Sequence, residues 1–273
     1  MRQTTIRADS EEPFFRELNE YRQLLYFFTW REFKVRYKQT FVGVLWMVLQ
    51  PLLFAGIISL VLARRSELSF GFENASDIVV IFLGFSLWQF FEGSVTGAVG
   101  GVDSNRSLAT KIYVPSAIFV LGPIFARLVD LGLKLIVFLI LVLVTGSTIS
   151  FWGLGVVLLV TLILALIAAA VGFMFAPINV RWRDITLTLP FITRLMFFTT
   201  PIWYPFSLIP AEYQDLFLLN PIVAGMELAR NALFDPSAVD FALMGTATAE
   251  VIILLAIGIP IFKRTKTIMA DYY

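Results

Sequence analysis

The stretch Leu154 to Ala176 reads LGVVLLVTLILALIAAAVGFMFA and carries no charged side chain. About 20 consecutive apolar residues cross the hydrocarbon core of a bilayer as a helix. This run meets that length and predicts a membrane-spanning helix. Three comparable runs precede it, Phe41 to Leu62, Ile78 to Gly100 and Ser116 to Val144. Two follow it, Leu187 to about Trp203 and Ala247 to Phe262. The reading is therefore an all-α integral membrane fold with six transmembrane helices. Composition agrees: 58% of residues are hydrophobic, only 15% are charged, and the mean hydropathy is +0.82. Soluble domains carry roughly a quarter charged residues.

Between the fifth and sixth runs, Pro201 to Asp240 is rich in Pro and aromatic residues. It is too broken for a full span and too apolar for a plain loop. Short helices that dip back into the membrane are expected there, as is tolerated where protein shields the backbone. Upstream of the first run, Ser10-Glu11-Glu12-Pro13 has the residues of a helix start. Phe14, Leu18, Tyr21, Leu25 and Phe28 then recur at spacings of four and three, one face of an amphipathic helix. Such a helix can lie in the membrane surface. Residues 1–40 thus read as a cytoplasmic N-terminal segment with an interface helix, and 41–273 as a single transmembrane domain. Met1 to Glu12 is polar and acidic, so the first span is expected to stay as an anchor.

The distribution of Lys and Arg sets the orientation. With both termini cytoplasmic, inner flanks collect Arg31, Lys34, Arg36, Lys38, Arg106, Lys111, Arg181, Arg183, Lys263, Arg264 and Lys266, among others. Outer flanks hold only Arg64, Arg65 and Arg230. The net charge of +1 gives no pull toward nucleic acid.

Enzyme chemistry finds little support. The chain has no Cys and no His, which removes disulfides, thiolate nucleophiles, Cys/His metal sites and histidine acid–base catalysis. There is no G-x-x-x-x-G-K-[ST] loop to cradle ATP and no G-x-S-x-G elbow. Acids inside spans are functional suspects by default. Asp130 lies three after Arg127 and four before Lys134, so the three share a helical face and read as a structural ion-pair set. Glu92 is left open between a structural and a functional role. Aromatic rings cluster at Trp46, Phe85 and Trp88 in the first two spans, and at Phe197, Phe198, Trp203 and Tyr204 near the end of the fifth. They read two ways, as interface anchors or as the lining of a path for a polymer with flat C–H faces. The loop Val102 to Pro115 can form a short capped helix at the inner surface. Its Asp103, Arg106, Lys111 and Tyr113, together with Arg181, Arg183 and Asp184 of the next inner loop, are candidates for docking a soluble partner.

Several motifs together resemble one family. They are Trp30-Arg31-Glu32-Phe33-Lys34-Val35-Arg36-Tyr37-Lys38-Gln39-Thr40, then Gly43-Val44-Leu45-Trp46 and Leu49-Gln50-Pro51-Leu52. Thr110-Lys111-Ile112-Tyr113-Val114-Pro115 and Asn179-Val180-Arg181-Trp182-Arg183-Asp184 continue the match, with Trp182 where Tyr is usual. Thr200-Pro201-Ile202-Trp203-Tyr204-Pro205 and Leu219-Asn220-Pro221 complete it. This set resembles the permease family of type-2 ABC exporters for polysaccharides and polyol phosphates. The resemblance implies a homodimer in the cytoplasmic (inner) membrane, working with two separate ATPase subunits that bind ATP and Mg. It implies a lipid-linked, O-antigen-like glycan as cargo, a channel lined by rings of the first and fifth spans, and a coupling segment around Asp103 to Tyr113. Two rivals remain: a drug or lipid exporter of the same fold, and a membrane enzyme acting on lipid-linked sugars with Glu92, Asp130 or Glu227 as acids.

Overall fold

Apolar side chains and the need to satisfy every backbone N–H and C=O without water leave helices as the solution for this sequence. The computed structural model describes residues 19–38, 43–64, 69–109, 114–182 and 184–271. Among them it has ten α-helices and no strand. They are α1 (Arg22–Tyr37), α2 (Leu45–Leu62), α3 (Asp77–Ser104), α4 (Arg106–Ala109), α5 (Ser116–Thr145), α6 (Phe151–Arg181), α7 (Asp184–Thr199), α8 (Ala211–Leu218), α9 (Pro221–Phe234) and α10 (Phe241–Asp271). Two 3-10 turns, Phe206–Leu208 and Pro236–Ala238, join the later elements. Among the described residues five helices are long and apolar enough to cross a membrane: α2, α3, α5, α6 and α10. The fifth apolar run of the sequence forms α7, which has 16 residues.

The helix ends follow local chemistry. Gly146, at φ 67°, closes α5 in the left-handed region, and the Ser147 N–H reaches back to the Val142 carbonyl at 3.0 Å. That is the glycine-terminated cap expected when no β-carbon obstructs the turn. Asn220 starts α9 by accepting the Ile222 N–H at 3.0 Å, with Pro221 at the first helical position, where a missing N–H costs nothing.

Helix α6 is the reference axis. At its Trp152 end, the Thr148 N–H donates to the Asn74 carbonyl at 2.9 Å and the Ser150 N–H to Leu233 at 2.9 Å. The start of α3, the end of α5 and the end of α9 therefore meet there. Phe241, opening α10, stacks on Trp152 at 6.2 Å, and Phe262 meets Phe173 at 4.9 Å, so α10 runs alongside α6 in the same direction. At the Arg181 end, Thr186 of α7 donates through both its N–H (3.1 Å) and its hydroxyl (2.6 Å) to Asn179 Oδ1.

Lipid gives helices no hydrophobic drive toward each other, so close packing has to hold them. A β-carbon added at Gly101 of α3 would sit 2.0 Å from the Phe119 carbonyl oxygen of α5, and one at Gly153 of α6 would sit 2.3 Å from that of Ala232 in α9. These contacts bring backbones together as only glycine permits. Helix α1 lies along α5: Phe28, 1% exposed, meets Phe119 edge-on at 5.3 Å. The proposed helix start at Ser10 to Pro13 and the apolar positions Phe14 and Leu18 lie outside the described residues.

Candidate functional site: a charged cavity beside an aromatic cluster

A cavity of about 690 Å³ opens between five helices. Its wall takes Arg36 and Tyr37 from the end of α1, Trp46 and Gln50 from α2, Gln89 and Glu92 from α3, Pro190 from α7, and Arg127, Asp130 and Lys134 from α5. Asp130 lies 14 residues beyond Ser116, about 21 Å along α5 at 1.5 Å per residue, near the middle of that helix. The basic cluster of α1 is thus carried up the side of α5, and Arg36 pairs there with Asp130, 94 residues away in the chain. Sequence reading assigns Arg36 to an inner flank; in the fold it is a wall of the cavity.

The triad expected on one face of α5 is present in altered form. Arg127 Nη1 lies 3.4 Å from Asp130 Oδ2. Lys134 instead donates to Gln89 Oε1 of α3 at 2.6 Å, and is only 5% exposed. Helical spacing allows an (i, i+4) pair with Asp130, but the ammonium turns to α3, while Arg36 and Arg127 share Asp130 Oδ2. Glu92 accepts from the Thr193 hydroxyl of α7 at 3.3 Å. Gly93 makes the room that Arg127 fills, since a β-carbon there would lie 2.5 Å from its Nε.

The aromatic candidates divide into groups. Phe85 and Trp88 of α3 close around Phe197 of α7, at 5.9 and 5.8 Å between ring centroids, and Phe54 of α2 stacks on Phe85 at 4.1 Å. Trp88 is 1% exposed inside this cluster. Phe198 touches Phe197 edge-on at 5.5 Å and is exposed, as is Trp46 on the cavity wall. Trp203 and Tyr204 form a separate T-shaped pair at 5.0 Å just past the end of α7.

Beside that end lies Arg230 of α9, fully buried. Its guanidinium donates to the carbonyls of Pro201 and Ile202 (2.7 Å for the latter), pairs with Glu227 at 3.0 Å and sits over the Phe70 ring at 4.7 Å. The sequence places it among outer-flank charges; the fold adds that it is an internal tie. Only its contacts across 28 and 29 residues reveal this. For the cavity a sequence signal did exist, namely charges and glutamines inside apolar runs.

The docking candidates that the structure describes share the Arg181 end of the bundle. Asp103 lies in the last turn of α3, Arg106 opens α4, and Arg181 lies over the Trp182 ring at 5.0 Å with Asp184 opening α7. Lys111, Tyr113 and Arg183 lie outside the described residues.

Five long apolar helices and glycine-mediated close packing define a multi-pass helical membrane protein. The family model for ABC-2 type transporters matches residues 23–234, and the chain belongs to that family. It is 31% identical to the O-antigen export system permease protein RfbA of Myxococcus xanthus, over 94% of this chain and 97% of that protein. It is 27% identical to an RfbA of Klebsiella pneumoniae, over 91% and 94%. A polysialic acid transport protein, KpsM of Escherichia coli, matches at 23% over 88% and 92%.

Proposed function

We propose that this chain is the channel-forming permease subunit of an ATP-driven exporter that moves a lipid-linked, O-antigen-like polysaccharide across the cytoplasmic membrane. The end-to-end likeness to O-antigen and polysialic acid export permeases carries this reading. In it the permease works as a homodimer with two ABC ATPase subunits, which bind ATP and Mg. Residues 1–40 form the cytoplasmic N-terminal segment, whose interface helix leans along α5 as far as the cavity, residues 41–273 the transmembrane domain, and both termini face the cytoplasm.

The chain crosses six times. Five crossings are the long helices. The sixth is broken: α7 starts beside the Arg181 end of α6, and the chain reaches the Trp152 end only after α8 and α9. Pro201 to Phe234 then forms the re-entrant outer segment. Trp46 and Phe198 face the polymer path, with Phe85, Trp88 and Phe197 as the wall behind them and Trp203 and Tyr204 at its outer end. Asp103, Arg106, Lys111, Tyr113, Arg181, Arg183 and Asp184 take up the motion of the ATPases.

Depleting the protein and assaying lipid-linked glycan inside the cell and at its surface tests the proposal. Accumulation inside with loss outside is expected. Normal surface glycan would overturn it and favour a drug or lipid exporter of the same fold.

A further inference from the structure

Lys134 is a buried ammonium whose hydrogen-bond partner is a neutral amide, Gln89. Among the described residues no carboxylate lies within ion-pair distance of it. Its nearest counter-charge, Asp130 one helical turn away, makes no direct pair with it, and a buried cation so weakly compensated is costly in protein and costlier in a membrane bundle. The cavity wall as a whole holds three cations, Arg36, Arg127 and Lys134, against two carboxylates, Asp130 and Glu92. Asp130 is shared between two arginines, and Glu92 is engaged by Thr193. Arg127 Nε is buried with no hydrogen-bond partner, and so is Asp130 Oδ1. Arg127 Nε packs against Gly93, but Lys134, an ammonium with three N–H donors of which one is bound to Gln89, lines with Arg36 and Arg127 a space large enough for a small polar group.

The geometry points to an oxyanion site in this cavity: a phosphate-type group held between Arg127 and Lys134, with Arg36 at its edge. Guanidinium forks match phosphate oxygens, and charge-assisted bonds of this kind are the strong ones. Arg127 and Lys134 stand two helical turns apart on one face of α5, so their long side chains can converge on one group. An arriving anion would also compete with Asp130 for Arg36 and Arg127, loosening the tie between α1 and α5. Two sources share this chemistry, the phosphate of a lipid headgroup and free inorganic phosphate. The inference rests on the transport reading only for the headgroup's role as part of the cargo; the site itself does not depend on it.

The test uses the full-length protein in nanodiscs of zwitterionic lipid, with or without a few per cent phosphatidic acid, read by native mass spectrometry. The expected result is retained phosphatidic acid in the wild type. Retention should fall about tenfold in Lys134→Gln, the loss of one charge-assisted bond, and recover in Lys134→Arg. Lys263→Gln, at an exposed position on α10, should retain it as the wild type does. Displacement by added inorganic phosphate in the wild type but not in Lys134→Gln would also support the site and assign it to the free ion. Equal retention in wild type and Lys134→Gln, with no displacement by phosphate, would overturn it. Surface glycan after depletion reports on the transport reading separately, so either idea can fail alone.

Discussion

Arg230 Nη2 lies 2.7 Å from the Ile202 carbonyl oxygen, and the same guanidinium also binds the Pro201 carbonyl. Helix α7 stops at Thr199, and Pro201 and Pro205 supply no N–H to continue it. The break leaves carbonyls that water cannot reach, and one arginine satisfies two of them. Buried polar backbone without a partner costs free energy comparable to a lost hydrogen bond.

Arg230→Met therefore strands two carbonyls and Glu227. A loss of about 3–5 kcal/mol is expected, the range for breaking a buried charge pair, seen as a large drop in thermal midpoint in detergent. Arg230→Lys should recover little, because an ammonium lacks the planar fork that spans both oxygens. Wild-type stability in Arg230→Met would refute the internal tie.

Gly101→Ala forces a β-carbon to 2.0 Å from the Phe119 carbonyl oxygen, a backbone atom that cannot rotate away. Separation of α3 from α5 at a cost of about 1–3 kcal/mol is expected for such overpacking. Gly56→Ala, where nothing lies within 4 Å, is the matched control. Paired thermal unfolding curves compare the two.

Gly93→Ala acts differently, because the obstructing atoms belong to the flexible Arg127 side chain. The fold should hold while the guanidinium is displaced in the cavity. Export should fall with stability nearly unchanged, measured as surface glycan per unit of membrane protein.

Arg106→Glu and Arg181→Glu invert charges at the Arg181 end without touching the cavity. ATP hydrolysis by the assembled transporter should persist while export drops. Loss of both together would indicate failed assembly instead, and unchanged export would remove these residues from the coupling set.

The long helices were legible because bilayer thickness imposes a length on apolar runs, and runs such as Ser116 to Val144 match α5 almost to the residue. The run Leu187 to Trp203 was harder. Its apolar character continues past Thr199, but the prolines end the helix, and hydropathy does not register a missing N–H. The contacts of Arg36 and Arg230 were illegible for one shared reason. Charge counting assigns basic residues to flanks, whereas Arg36 finds Asp130 and Arg230 finds Ile202 only through tertiary packing. Spacing likewise grouped Lys134 with Asp130, but Gln89, on another helix, holds the ammonium.

The most direct test of the central claim is translocation in proteoliposomes holding this chain and its ATPase partner, with lipid-linked glycan placed in the outer leaflet. Once ATP is supplied outside, the glycan is expected to become protected from an added glycosidase, at a rate that vanishes without ATP. Glycan that stays fully digestible with ATP, beside an active ATPase, would contradict the account.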